Sequence, residues 1–338
     1  MPLDRTPGHH ALFSVHGLGV QLTCDVPAMW TDIDHVLGMF GVAEFPPGFT
    51  TTSGHVRAFD TDEVARHVST HAVAVPVPDD LIELYQDGER FWLVDDRWGI
   101  CEMNLLKGTW RSWVLPHALA DTSRCVEMAV VWPLAQLLRL RGLYLLPAVG
   151  LERDGVGVLL VSGFNLLPEI EALVRTEGFR IVGQRWTALR DDATRVEMLH
   201  LPGLTERVSL PTPGTLAIPR PTGLVDLHDE FPDAKSLHAF CDVVVLVEPG
   251  RRGSLRWQDL TPGQAQGAVR SYWPIIELHP QRRSGQLAAR LSRVARVGKL
   301  QLSRDPESLV GLLHRLTSQV PPRVSVSLHP VAPHAVAV

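Results

Sequence analysis

Apolar and polar residues trade places through residues 11–24, where Leu12, Phe13, Val15, Val20 and Leu22 hold the apolar positions. That near-alternation predicts a strand or hairpin. Residues 32–40 read as a short helix, broken by Phe45-Pro46-Pro47-Gly48, because adjacent prolines extend neither a helix nor an inner strand. A second short helix is expected over residues 61–69, capped by Asp60 or Thr61. Between residues 82 and 115 the pattern turns to β. Short runs rich in aromatic and branched residues, at 84–85, 91–94, 100–106 and 110–115, are separated by Asp87-Gly88, Asp95-Asp96 and Lys107-Gly108. Those dipeptides are hairpin signals, so the segment predicts a meander.

A helix is expected from Ser123 to Arg141, apolar around most of its circumference and therefore buried, with Pro133 as a kink or a restart. Next come a strand at 156–162, a helix at 168–177 and a strand at 180–182. This succession predicts a sheet packed against helices. The proline-rich stretch 202–221 reads as extended or looping chain, and 243–248 as a short buried strand. Residues 232–240, 261–272, 284–297 and 306–319 read as helices, with a strand at 299–302. The expected class is α/β or α+β. A mixed region with the meander spans 1–118, a helix-packed sheet 119–320, and a flexible tail 321–338.

Composition narrows the function classes. The 338 residues are 45% hydrophobic and 20% charged, as in an ordinary globular protein, and the formal net charge of -5 gives no reason to expect nucleic acid. Lys107, Lys235 and Lys299 are the only lysines, so nearly all positive charge is arginine. Residues 1–10 hold no apolar run of the kind a signal peptide needs. The longest apolar stretch, 128–138, is short of the roughly 20 residues that span a bilayer. Cys24, Cys101, Cys125 and Cys241 lie far apart without a paired spacing, which predicts a reduced, cytoplasmic protein with no metal and no membrane association.

Three stretches carry a family resemblance. The first runs from Leu137-Leu138-Arg139-Leu140-Arg141-Gly142-Leu143-Tyr144 into Leu151-Glu152-Arg153-Asp154-Gly155-Val156-Gly157-Val158-Leu159-Leu160. The second is Glu177-Gly178-Phe179-Arg180-Ile181-Val182. The third is Leu260-Thr261-Pro262-Gly263-Gln264-Ala265, followed later by Leu300-Gln301-Leu302-Ser303-Arg304-Asp305-Pro306. In this order and spacing the chain resembles the HPr-kinase/phosphoenolpyruvate-carboxykinase-like superfamily, in particular the HPr-kinase-related proteins of bacterial peptide and secondary-metabolite pathways. The resemblance implies a kinase-like sheet packed by helices.

It also implies a phosphate-binding loop of the G-x-x-G-x-G-K-S/T kind after the strand at 156–161. Such a loop needs glycines so that backbone N–H groups close on phosphate, a lysine for the outer oxygens and a hydroxyl for magnesium. This chain has Ser162-Gly163-Phe164-Asn165-Leu166-Leu167-Pro168-Glu169 there, with one glycine and no lysine from 108 to 234. Gly183-Gln184 stands where relatives carry an aspartate pair, and Leu145-Leu146-Pro147-Ala148 where they commonly carry a histidine. Phosphoryl transfer depends on electrostatic clamping of the γ-phosphate, so the resemblance is to a degenerate member without a nucleotide cofactor.

The remaining polar groups supply the candidate sites. His228, Asp229 and Glu230, within the run from Asp226 and near His238 and Asp242, are candidates for general acid-base work. Ser162, Gly163, Asn165, Gln184 and Arg185, with Arg251 and Arg252, are candidates for an anion or substrate. Arg283, Arg290, Arg293 and Arg296 share a helical face that suits an acidic partner. Three functions remain open at this stage. One is an accessory protein that binds a protein partner, a second copy or a peptide. Another is an ATP-independent enzyme reusing the cleft on a phosphorylated or sulfated small metabolite. The last is an atypical kinase.

Overall fold

The structure, a computed structural model, describes residues 8–46, 49, 51–59, 67–75, 83–192, 194–201, 205–209, 220–250, 255–271, 283–302 and 306–320. The alternating start of the chain forms the hairpin β1 (His9–Val15) and β2 (Leu18–Cys24). Helix Trp30–Leu37 follows, then β3 (Gly41–Val42), β4 (Thr51–Ala58) and β5 (Val73–Val75). The meander is β6 (Glu83–Asp87), β7 (Arg90–Asp95), β8 (Gly99–Asn104) and β9 (Thr109–Val114). Together they make a nine-stranded sheet of order β3-β1-β2-β4-β9-β8-β7-β6-β5, parallel where β4 meets β2 and β9.

The expected central helix begins at Thr122 and runs through a π-helical turn, Glu127–Val131, into Trp132–Arg139. It is buried because it packs on the sheet beneath it. Phe13, Leu22, Val56 and Trp110 share one core with Val130, Leu134 and Leu138, and this core extends to Leu143, Trp186 and Leu199 of the second sheet. One helix thus serves both sheets.

The second sheet takes β10 (Leu143–Leu146), β11 (Val149–Arg153), β12 (Val156–Ser162), β13 (Arg180–Gly183), β14 (Thr187–Asp191) and β15 (Val196–Leu199). A separate hairpin, β16 (Thr205–Ser209) and β17 (Arg220–Val225), precedes β18 (His238–Pro249), β19 (Leu255–Asp259) and β20 (Arg296–Leu302). The path is β10-β14-β15-β18-β12-β11-β13, with β20 beside β18 and β19 beside β20. β18 is its axis, parallel to both β12 and β20. Its Val243–Val247 stretch is fully buried because helices cover both faces. Leu167–Glu177 and Pro306–Ser318 cover one face, and Pro262–Ser271 and Arg283–Val294 the other. Near-continuous apolar strands are what two covered faces require.

The protein is therefore α/β, as expected from the sequence, with some differences in detail. The helix expected at 284–297 stops at Val294, and Val297 lies in β20, so Arg296 is not on the arginine face. Its guanidinium pairs with Asp259 at 2.7 Å, and Arg290 lies 3.6 Å from Asp191. Residues 232–240 are not one helix. A single 3-10 turn, Pro232–Ala234, gives way to β18, where sheet pairing on three neighbours outweighs local helical preference. The stretch expected to loop at 202–221 includes β16 and the start of β17. Most of the expected helix at 61–69, and the tail, lie outside the described residues.

Candidate functional site

β12 delivers the chain into the turn Ser162–Leu166, and helix Leu167–Glu177 carries it away. Because β12 is parallel to β18, this turn lies at the carboxyl end of the parallel strands, the end at which open α/β sheets bind ligands. A cavity of about 370 Å³ opens there, lined by residues of this turn, the β10–β11 turn, Gln184, Arg185, and Arg124 and Glu127 of the central helix.

The turn is closed on itself. The Phe164 amide donates to Ser162 Oγ at 3.1 Å, and the Leu167 amide donates to Asn165 Oδ1 at 2.8 Å. Pro168 brings no N–H to the first helical turn, and buried Glu169 brings a carboxylate to it. The amides of Phe164 and Leu167 are thereby committed to the chain's own side chains. A β-carbon added at Gly163 would meet nothing within 4 Å, so its glycine is not imposed by crowding.

The cations of the cavity are arginines. Arg124 Nη1 donates to Glu127 Oε2 at 2.8 Å, one helical turn away. Arg185, on the β13–β14 turn, grips the same carboxylate through Nε and Nη2. Gln184 beside it is buried, and both ends of its amide are used. Nε2 donates to Asp226 Oδ1 at 3.2 Å, and Oε1 accepts from the Leu227 amide at 2.7 Å. Gln184 thereby joins the cavity wall to a second polar cluster.

That cluster lies where the two sheets meet. Asp226 accepts from the His228 amide at 2.8 Å and stands 3.0 Å from His35 on helix Trp30–Leu37. Burial opposes the Asp226 charge, yet the His35 imidazole, the His228 amide and Gln184 outweigh it and hold the carboxyl down at about 2. The bond to Asp226 raises His35. His200 and His228 are buried edge to face with ring centroids 4.6 Å apart. Burial and the neighbouring His228 ring lower His200 to about 4, and burial lowers His228. The carbonyl of His200 accepts from His16 Nε2 at 2.7 Å.

Of the sequence candidates, Ser162, Gly163, Asn165, Gln184 and Arg185 meet at the cavity. His228 is buried against His200, and Asp229 and Glu230 are exposed. The carboxylate built into the cluster is Asp226, which holds the turn rather than either His228 ring nitrogen. Arg251 and Arg252 lie outside the described residues. The sequence reading did not single out Arg124, Glu127, His16, His35 or His200. The spacing of Arg124 and Glu127 was a visible signal, but the 58-residue reach to Arg185 was not. Burial raises the thiols, Cys24 and Cys125 to about 11 and Cys101 to about 12, so these three are protonated and inert at neutral pH. Among the described residues, no group of three or more His, Cys, Asp or Glu could hold a metal, and no helix is long and apolar enough to cross a membrane.

No family model matches the chain, and no curated protein does. Among solved structures, the HPr(Ser) kinase/phosphatase from Coxiella burnetii is similar at 15% identity, over 52% of this chain and 99% of its own, with a TM-score of 0.29. A likeness that loose carries no inference about activity. The α/β class stands on the sheets and helices themselves.

Proposed function

We propose that this chain is an accessory binding protein that transfers no phosphate, in the kind of bacterial peptide or secondary-metabolite pathway that the sequence resemblance implies. The turn after β12 carries the reading. By the sequence resemblance it stands where a phosphate cradle would, but Ser162 and Asn165 take the amides of Phe164 and Leu167, Pro168 lacks one, and no lysine stands in the loop. A triphosphate brings roughly four negative charges, which need several convergent cations or a metal. Arg124 and Arg185, already sharing Glu127, are a poor match for that charge.

Calorimetric titration with ATP and magnesium tests the reading. The expected outcome is no binding tighter than about 1 mM. Micromolar binding, or transfer of label from γ-labelled ATP, would restore the kinase reading. An enzyme built on His228 is less favoured, because its ring is buried against His200, Asp229 and Glu230 are exposed, and Asp226 bonds the His228 amide rather than its ring.

A further inference from the structure

The cavity's charge and walls point to a ligand class, an inference that rests on reading this cavity as a binding site without phosphoryl transfer. Its lining holds two guanidiniums, Arg124 and Arg185, against the single carboxylate of Glu127. Two cations and one anion leave one positive charge in excess. The bonds to Glu127 occupy Nη1 of Arg124 and Nε and Nη2 of Arg185. A guanidinium has five N–H donors, so both groups keep donors for another acceptor. Ser162 Oγ accepts from the Phe164 amide, which leaves its hydroxyl hydrogen able to donate.

The rest of the wall is mixed, with apolar side chains beside the amide side chains of Asn165 and Gln184. Val149, Leu160, Phe164 and Ile170 line the cavity. At about 370 Å³ it falls at the small end of ordinary ligand sites, which run from roughly 300 to 1,000 Å³. We infer that the cavity binds a small organic monocarboxylate with an apolar body, its carboxylate paired with Arg124 and Arg185.

Charge favours a carboxylate over phosphate. One excess positive charge is neutralised by a monoanion, whereas a phosphate dianion would leave negative charge beside Glu127. A guanidinium edge matches a flat two-oxygen group, and such charge-assisted pairs are stronger than neutral ones. A neutral molecule of the same body would gain the apolar wall but leave the excess charge unanswered.

The experiment uses full-length protein and needs no mutation in its first arm. Calorimetry compares 3-phenylpropionate, hexanoate and N-acetyl-leucine, each with its primary amide, and adds inorganic phosphate. At least one acid should bind with a millimolar or tighter dissociation constant, and its amide and phosphate at least about tenfold more weakly. In the second arm, Arg185→Gln should weaken the acid about tenfold and leave amide binding unchanged. The melting temperature of the variant checks that it is folded, and Arg124→Gln repeats the test should Arg185→Gln fail to fold. No binding by any acid, or equal binding of acid and amide, overturns the inference. The ATP titration then separates the two levels. Failure of the acids without ATP binding removes only the carboxylate, whereas tight ATP binding removes the binding-protein reading as well.

Discussion

Gly157 shows how one residue sets the geometry beneath the site. A β-carbon there would sit 2.0 Å from the Phe240 carbonyl oxygen and 2.7 Å from Met198 Cε, so β12 approaches β18 at a distance that only glycine permits. The register between the strands shifts at this point, and Asp242 Oδ2 accepts the Gly157 amide at 3.1 Å. Backbone, not a flexible side chain, is the obstacle, so relief requires moving a central strand. Gly157→Ala should therefore cost about 2–4 kcal/mol, read as a lower urea midpoint. An unchanged midpoint would mean the strands part without strain. The sequence offered a glycine in an apolar run but no sign of what it faced, since Phe240 lies far along the chain. By contrast Gly178, with φ of 67°, ends helix Leu167–Glu177 in the left-handed conformation, in keeping with a helix stop read from the sequence.

The central helix shows what a proline does to its element. Pro133 has no N–H to donate to the carbonyl four residues back, that of Ala129. Trp110 Nε1 at 3.0 Å and Ser112 Oγ at 2.7 Å donate to that oxygen instead, both from β9. The π-helical turn fits the same need, with the Trp132 amide bonding to Glu127. A local defect thereby becomes the link between helix and first sheet. Ser112→Ala should cost about 1–2 kcal/mol in the wild-type background. In the Pro133→Ala background residue 133 regains its N–H, so the same change should cost measurably less in a double-mutant cycle. Equal costs in both backgrounds would show that the carbonyl was never short of a donor. The sequence announced the helix and the awkward proline. It also announced the strand, turn and helix around Ser162, because period and breakers are local signals. It did not announce β10, β11, β14 or β15. Leu143-Tyr144-Leu145-Leu146 is apolar without a period, and Thr187-Ala188-Leu189-Arg190-Asp191 alternates too little, so partner strands define both.

Across the whole molecule, the site's second cluster joins parts of the chain that no local pattern connects. His16 and His35 come from the first sheet's layer, His200 from the end of β15 in the second sheet, and Asp226 and His228 from the turn after the separate β16–β17 hairpin. His16 meets the His200 carbonyl across 184 residues, which is why sequence reading found His228 and not its neighbours. The cluster makes the junction sensitive to acid. His200 in the folded protein sits at about 4, below the usual value of 6.5, because burial and the His228 ring oppose its charge. The unfolded chain therefore binds more protons between those values, and stability falls as pH drops through that window. His228, also lowered by burial, acts in the same direction. His35 acts oppositely, since its bond to Asp226 raises it, and its contribution is full at low pH and fades as pH rises through its folded value. Asp226 keeps its charge until pH falls toward about 2, so the His35 pair survives while the His200 pair fails. From pH 7 to 4.5, His200 should remove about 2 kcal/mol of unfolding free energy. His200→Gln, which can still donate to the Val182 carbonyl that His200 Nδ1 meets at 2.8 Å, should flatten that part of the pH profile in urea unfolding. Parallel profiles for wild type and variant would place the acid sensitivity elsewhere. A flattened one would assign the junction between the sheets to two neutral imidazoles held face to edge.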